Sequence, residues 1–297
     1  MCFCTLKLYL CSLFKQLFLN KSLKIFCLLI TIHLGNKNAF SQENEFGFWA
    51  GTAVYLGDLN PSLSFKDARW ASGVFYRYNL NNRMAVRAEM NYGFLDAADS
   101  RIKRFPYLQA RNLSFKTHIV EVAATFELNF FKYSLVKSKD TRNWTPYIFM
   151  GGSIFYYNPY TTLAGTKFKL EPVGTEGQKT PNKPTKNRGY NQYSFTIPYG
   201  AGVKIGLNQN WAVNVEVSSR ITFTDYIDDV SGNYPEQEDV NYFINGANVG
   251  LDLYDRSDAK IGIPGKQRGT SKDKDRFLFV GVSLTYTINT SKCPKVF

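Results

Sequence analysis

The stretch that decides the fold is Trp211–Phe223, which reads WAVNVEVSSRITF. Large apolar residues recur at nearly every second position, and small or polar residues stand between them. A period of two is typical of a β-strand with one apolar and one polar face, because successive side chains point to opposite sides. The same alternation recurs along the chain and predicts an all-β fold. The predicted strands are Phe46–Leu56, Ala71–Leu80, Met84–Leu95, His118–Phe130, Pro146–Tyr157, Ser194–Leu207, Trp211–Phe223 and Leu278–Ile288.

These eight segments are long enough to cross a bilayer as tilted strands, and eight is the smallest number in a membrane barrel. Short connections such as Asn81–Arg83 and Asn208–Asn210 alternate with long ones such as Asn158–Tyr193 and Thr224–Lys274. Aromatic residues gather near both segment ends, as in interfacial girdles: Phe130, Phe131, Tyr133, Trp144, Tyr147, Trp211 and Tyr286 at one rim, and Tyr156, Tyr157, Tyr160, Tyr193, Phe195 and Phe223 at the other. The sequence therefore predicts an eight-stranded antiparallel transmembrane β-barrel with short periplasmic turns and long extracellular loops.

The first 42 residues carry five lysines and no acid, with an apolar core at Ile25–Leu34 and a small-x-small pattern at Ala39–Ser41. This arrangement predicts a signal peptide over residues 1–41, cleaved near Ser41 and Gln42. Residues 42–297 would then form a single outer-membrane barrel domain with a periplasmic tail at 289–297. Its outer face would contact outer-membrane lipids.

Removal of that leader lowers the formal net charge from +12 to about +7, since the leader holds five cations and no acid. Four of the five cysteines leave with it, and Cys293 stays. A single cysteine in an oxidising compartment is either a free thiol or an intermolecular partner.

An eight-stranded barrel has an interior just wide enough for side chains to fill. The polar faces of the predicted strands place a set of charges there: Arg77, Arg87, Glu89, Glu121, Glu127, Lys204, Glu216 and Arg220. Buried charges must be paired, so a structural polar plug is favoured over a conducting pore. A simple hairpin at Asn208–Asn210 sets Lys204 opposite Asn214 and within reach of Glu216. Pro198 would break a ladder bond, which predicts a bulge or a later strand start.

Catalytic and ligand-binding chemistry finds little support. Some outer-membrane barrels are lipid-modifying hydrolases with a Ser near a His on one strand, but His118 is followed two residues later by Val120. We predict no enzyme and no cofactor. The acidic loop Thr224–Gly232 offers oxygen ligands for calcium, but it lacks the spacing of a known calcium loop and favours a hydrogen-bonded turn. Nucleic acid is not expected as a partner at a cell surface.

Several strings are similar to the PorG-type outer-membrane barrels of the type IX secretion system of Bacteroidota. The first is Tyr55–Asn60, with Tyr55, Gly57, Asp58 and Asn60, and the second is Thr224–Gly232, with Asp225, Tyr226, Asp228 and Asp229. The others are Arg268-Gly269, Asp275–Phe277, Gly281–Tyr286 and Cys293-Pro294.

The resemblance implies a non-catalytic component that binds the periplasmic ring of the PorK-like lipoprotein and its PorN-like partner, and anchors that ring to the outer membrane. It also implies protein secretion and, in some members, gliding motility. We hypothesise a disulfide between Cys293 and the ring lipoprotein. The alternative is a general structural or adhesive barrel that acts through its extracellular loops.

Overall fold

The computed structural model describes residues 43–136, 139–180 and 189–289. Every predicted segment is a strand, with ends that differ by a few residues. The strands are β1 Glu43–Leu56, β2 Arg69–Asn79, β3 Met84–Ala98, β4 Ser114–Asn129, β5 Trp144–Tyr156, β6 Tyr193–Gly206, β7 Trp211–Thr222 and β8 Arg276–Asn289. The predicted signal peptide, the tail beyond Asn289 and Cys293 lie outside the described residues.

The eight strands form one closed antiparallel barrel. Each strand pairs with its neighbours in sequence. The first and last strands close the ring along their full length, from Glu43 opposite Asn289 to Leu56 opposite Arg276. Closure removes the unpaired strand edges that would otherwise invite aggregation. Because the strand number is even, β1 begins and β8 ends at the same rim, which we call the turn end; the opposite rim is the loop end.

The two tight connections at the turn end use the same local device. Asn81 Oδ1 accepts hydrogen bonds from the backbone N–H groups of Arg83 and Met84, at 2.8 and 2.9 Å. Asn208 Oδ1 accepts from those of Asn210 and Trp211, both at 2.9 Å. An Asn side chain that bonds to backbone two or three residues on stabilises a reversal of the chain. Both turns are therefore encoded locally by an Asn at the first position.

The outer face of the barrel is apolar along the middle of the strands. Aliphatic side chains such as Met90 and Met150 are 56% and 62% exposed there. Exposed aromatic residues stand near the strand ends: Phe46, Phe130, Trp144, Trp211 and Tyr286 at the turn end, and Trp70, Tyr193, Phe195 and Phe223 at the loop end. A continuous apolar belt of this kind is stable only against lipid. The fold is therefore a membrane barrel, and the predicted girdles are present in large part.

Three residues assigned to the girdles by sequence are buried instead: Tyr133, Tyr147 and Tyr157. Tyr147 faces inward because it stands one position from the outward-facing Ile148 on β5. The other two lie in connections, where Tyr133 packs with Leu135 and Ala212 and the Tyr157 hydroxyl donates to the Asn191 carbonyl. Within the described ranges no helix is long and apolar enough to cross a membrane.

Pro198 produces neither a bulge nor a later strand start, so that prediction was wrong. The β5–β6 pairing stops after Met150 opposite Tyr199 and resumes at Ser153 opposite Thr196 with the same register. The strand continues through Pro198, which still faces Arg220 on β7. Two glycines, Gly151 and Gly152, stand opposite the gap, so the missing N–H leaves a local break in one ladder.

The long connections at the loop end are folded. They contain the helices α1 Pro106–Arg111, α2 Leu170–Val173 and α3 Val249–Tyr254. They also contain 3₁₀ turns at Phe65–Asp67, Asp99–Arg101 and Gln237–Asp239, and hairpins of Tyr160–Leu163 with Thr166–Lys169 and of Phe243–Ile244 with Ala247–Asn248. We call the described residues 57–68, 99–113, 157–180, 189–192 and 223–275 the loop cap.

Candidate functional site

The barrel interior holds all eight charged residues that the sequence placed there. Seven of them are at most 7% exposed, and the Glu216 side chain is about one-fifth exposed. They come from β2, β3, β4, β6 and β7, where strict alternation directs them away from the lipid-facing side. A polar interior with an apolar exterior is the arrangement expected of a membrane barrel.

Glu127 on β4 is the centre of the charge network. Its Oε2 lies 2.6 Å from Lys204 Nζ and 2.9 Å from Arg77 Nε, and its Oε1 lies 3.1 Å from Arg87 Nη1. Arg77 also contacts Glu45, with Nη1 2.5 Å from Oε2. Glu45 was missed by the sequence analysis because it precedes the predicted start of β1, although the alternation continues back to it.

Arg87 links the charges around Glu127 to a second group, which contains Glu89 and Glu216. Its guanidinium lies 2.7 Å from Glu216 Oε2 and 2.9 Å from Glu89 Oε1. The Tyr147 hydroxyl donates to Glu216 Oε2 at 2.7 Å. Lys204 does stand opposite Asn214, but the proposed Lys204–Glu216 pair is wrong. The long Lys204 side chain crosses the interior to pair with Glu127, and Glu216 pairs with Arg87 instead.

Glu121 and Arg220 form the part of the network nearest the loop end. Their closest charged atoms, Arg220 Nη2 and Glu121 Oε2, are 3.2 Å apart. Glu121 also accepts hydrogen bonds from Asn91 Nδ2 at 2.9 Å and from Ser153 Oγ at 2.8 Å. The Arg220 guanidinium lies 4.2 Å from the centre of the Phe279 ring. An aromatic layer therefore begins directly beyond this pair, with Tyr55, Phe115, Phe155, Phe277 and Phe279 as members.

The interior is filled by these side chains. A cavity of about 20 Å³ remains beside Arg87, Glu89 and Arg220, which is space for roughly one water molecule. Within the described residues, the paired charges therefore occupy the barrel interior.

The loop cap brings the two family-like motifs together. The Tyr55 hydroxyl lies 2.5 Å from Asp228 Oδ2 and 2.6 Å from Asp275 Oδ1. Gly57 is required beside them, because a Cβ at that position would overlap the Tyr55 hydroxyl and the Asp275 carboxyl. Asn60 holds the chain that leaves β1, donating from Nδ2 to the Tyr55 carbonyl at 2.7 Å. Residues separated by more than 170 positions thus form one buried cluster.

The other acidic motif residues are also hydrogen-bonded. Asp229 accepts from Thr175 Oγ1 at 2.5 Å and from the Tyr190 hydroxyl at 2.8 Å. Asp225 accepts from Ser231 Oγ at 2.6 Å, and Asp58 accepts from the backbone N–H of Thr270 at 2.8 Å. The carboxyl groups are therefore used inside the cap, as in the hydrogen-bonded turn that the sequence favoured.

Two ion pairs link the loops of the cap. Arg111 binds Asp99 through both Nε and Nη2, at 2.7 and 2.8 Å, and also donates to the Arg268 carbonyl. Arg268 Nη1 in turn lies 3.0 Å from Glu176 Oε1. Asp99, Arg111 and Glu176 were missed because their partners are distant in sequence and no local spacing marks them.

Burial raises the pKa of several aspartates in the cap. The pKa of Asp229 rises to about 7 and that of Asp225 to about 6, in each case chiefly through desolvation. The pKa values of Asp228 and Asp275 also lie well above their usual range, because both groups are desolvated and stand near other carboxylates. A single phenol has one hydrogen to donate, so its short contacts with both carboxyls require that at least one of them is protonated.

Among the described residues no group of three or more His, Cys, Asp or Glu side chains is placed to hold a metal ion. His118 is exposed on the outer face of β4, where its Nδ1 lies 2.6 Å from the Tyr92 hydroxyl and its ring contacts Phe94. Its position is that of a girdle residue.

These features define the class: a closed eight-stranded membrane β-barrel with an ion-paired interior and a folded loop cap. Residues 23–172 match a family described as "Domain of unknown function (DUF6089)", and the chain belongs to this family. The search of curated proteins found no match.

Solved structures that resemble the chain are bacterial barrels of low sequence identity. The attachment invasion locus protein Ail of Yersinia pestis is 8% identical at a TM-score of 0.39, covering 84% of this chain and 100% of its own. The N-terminal β-barrel domain of Pseudomonas aeruginosa OprF is 10% identical at 0.36, covering 83% and 99%. Neisserial surface protein A is 9% identical at 0.38, covering 82% and 97%. The fold assignment rests on the closed strand order described above.

Proposed function

We propose that the protein is a non-catalytic outer-membrane component of the type IX secretion machinery that anchors the periplasmic lipoprotein ring. The observation that carries this proposal is the ion-paired interior, where the cavity beside Arg87, Glu89 and Arg220 measures about 20 Å³. A barrel with so little internal space is suited to hold a partner at the membrane and unsuited to pass a protein. The choice of partner comes from the resemblance of Tyr55–Asn60 and Thr224–Gly232 to PorG-type barrels.

The even strand number supports the geometry of such an anchor. The short turns and the ends of β1 and β8 share one rim, which we assign to the periplasm because outer-membrane barrels keep their short turns there. The chain beyond Asn289, with Cys293, would then leave the barrel on the side of the ring. A disulfide from Cys293 to the ring lipoprotein would tie the two proteins covalently.

Affinity purification from mildly solubilised outer membranes tests the proposal. The tagged protein should recover the ring lipoprotein, and a non-reducing gel should show both in one band that separates on reduction. In Cys293→Ser that band should disappear. Recovery of the ring lipoprotein that does not depend on Cys293 or reductant would support binding to the ring and contradict the disulfide. A barrel that elutes alone would contradict the secretion role.

The alternative, an adhesive or structural barrel that acts through its loops, is favoured by the folded state of the cap. Replacing residues 223–275 with a short turn separates the two functions. Under the anchoring proposal, secretion of type IX substrates should continue. Loss of surface attachment with intact secretion would instead support the adhesive function.

A further inference from the structure

The loop cap contains an open polar cavity that the anchoring role does not use. Its volume is about 610 Å³, within the range of roughly 300–1,000 Å³ that small-molecule sites occupy. The loop between β5 and β6 contributes Glu176 and Gln178, and the loop between β7 and β8 contributes Tyr226, Tyr234 and Glu236. The cavity therefore lies between two loops that the interactions of Asp229 and Arg268 hold together.

One wall of the cavity ends a stack of aromatic rings. Tyr157 and Tyr190 are parallel within 6° with centroids 6.2 Å apart, and Tyr190 and Tyr226 are parallel within 7° at 4.7 Å. Tyr190 covers one face of Tyr226, and Tyr226 lines the cavity. Its position is fixed by the stack, so the uncovered part of the ring is a rigid platform for a ligand. The face of such a ring carries partial negative charge and attracts polarised C–H or N–H groups.

A buried polar group on the cavity wall lacks a partner. Gln178 is 7% exposed, and its Oε1 accepts from the backbone N–H of Glu176 at 2.9 Å. That bond orients the amide, while Gln178 Nε2 is buried without a hydrogen-bond partner. The hydroxyl of Tyr234, a residue 4% exposed on the same cavity, also has none. Leaving such groups unpaired costs stability, and a hydrogen bond with a ligand hydroxyl would relieve that cost.

The charge of the lining limits the ligand class. The described residues around the cavity include the acids Glu176, Glu236 and Asp239, and no Lys or Arg is among them. Glu176 is engaged by Arg268 and by the backbone N–H groups of Ser231 and Gly232, whereas Glu236 is exposed at the rim. The exposed Glu236 carboxylate would repel an anionic ligand, and it would not repel a neutral ligand rich in hydroxyls.

We propose that this cavity binds a neutral pyranose unit of a glycan, with the sugar ring on Tyr226 and its hydroxyls on Gln178 and Tyr234. The apolar C–H face of a pyranose suits the aromatic platform, and its edge hydroxyls both donate and accept hydrogen bonds. The inference is independent of the anchoring role, since it concerns the opposite rim of the barrel.

Saturation-transfer difference NMR tests it on the full-length mature protein in a phosphocholine detergent, because glucoside or maltoside detergents would supply the ligand themselves. The probes are methyl β-D-glucopyranoside, methyl α-D-mannopyranoside and the methyl glycoside of N-acetylglucosamine, with D-glucuronate as the anionic counterpart. At least one neutral probe should receive saturation at its ring protons, and glucuronate should receive much less.

Tyr226→Ala should weaken binding of the responding probe about tenfold or more, which corresponds to about 1.4 kcal/mol. Tyr107→Ala is the matched control, since Tyr107 is an exposed tyrosine of the cap outside the cavity. Ser271→Trp is a second variant that leaves the stack intact, because Ser271 is exposed and lines the cavity; its indole should block the probe.

Three results would overturn the proposal. They are an absence of transfer to all neutral probes, glucuronate binding as strong as that of the glucoside, and probe binding that persists in Ser271→Trp. Heat-modifiable migration on a gel establishes that each variant retains a folded barrel.

Discussion

The turn-end half of the barrel interior and the loop cap both bury carboxyl groups, and they accommodate them differently. Inside the barrel, Glu127 contacts three cations. In the cap, Asp99 and Glu176 also pair with arginines, but Asp228, Asp229 and Asp275 contact hydroxyls and backbone N–H groups. Strand backbones have already used their N–H groups in the ladders, so a buried acid there needs a cationic side chain. Loop backbones have N–H groups to spare, and short Asp side chains can reach them.

The largest expected effect comes from removing the central charge of the interior. Glu127→Gln keeps the side-chain volume but leaves Arg77, Arg87 and Lys204 short of one counter-charge. We expect a loss of about 3–5 kcal/mol in the free energy of unfolding, the usual cost of breaking a buried pair. Urea unfolding in lipid vesicles, followed by tryptophan fluorescence, measures it.

Glu238→Gln is the control, because Glu238 is exposed in the cap and should change stability by less than about 0.5 kcal/mol. The double variant Glu127→Gln with Lys204→Met should recover part of the loss. A loss for Glu127→Gln as small as that of the control would contradict the role of Glu127 as the centre of the network.

The next effect is confined to the cap. Tyr55→Phe preserves the edge-to-face contact with Phe115 but removes the hydroxyl shared by Asp228 and Asp275. We expect the cap to lose about 1–3 kcal/mol of local stability, because two buried carboxyls lose a partner. Hydrogen exchange of residues 223–275 should accelerate while that of the strands stays unchanged. Equal exchange in the cap of wild type and variant would show that the cluster does not hold it, and Tyr107→Phe serves as the exposed control.

The pKa shifts predict a cap that loosens as the pH rises. The pKa of Asp229 is raised to about 7, above its unfolded value of about 3.9. The stability it contributes is complete below about pH 4 and is lost as the pH rises through about 7. Cap opening, measured by hydrogen exchange corrected for the intrinsic rate, should increase about a hundredfold between pH 5 and 8, because about two pK units of the difference between the folded and unfolded values lie in that range. Asp229→Asn should flatten this profile, and Asp258→Asn, at an exposed position, should not. Cap opening that increases towards acid pH would contradict the assignment of this pH dependence to Asp229.

The smallest effect is expected at the rim of the cap. Asp67 pairs with Arg101, whose side chain is 36% exposed. Solvent screens such a pair, so Asp67→Asn should cost less than about 1 kcal/mol and less still at high salt. Thermal unfolding at low and high salt measures it. A stability loss as large as that of Glu127→Gln would contradict the expected difference between solvent-screened and desolvated ion pairs.

The strands could be predicted because period-two alternation depends on each strand alone, and Trp211–Phe223 displays it clearly. The inward direction of Arg87 or Glu216 follows from the same alternation. The partners of these charges could not be predicted. Lys204 on β6 reaches past β5 to Glu127 on β4, and such a contact depends on side-chain length and barrel curvature. Asp99, Arg111 and Glu176 could not be found at all, since loop contacts between distant residues have no period.

The pairing of β1 with β8 also has a consequence for the order of events in biogenesis. Glu43 and Asn289 become neighbours only when the ring closes, and until then both strands present a bare edge. Synthesis delivers Arg87, Glu121 and Glu127 long before their partners Glu216, Arg220 and Lys204. A partly made chain would therefore carry charges into lipid before their partners existed. Insertion therefore requires the last strand, so the chain must stay unfolded and bound by other proteins until translation of β8 is finished.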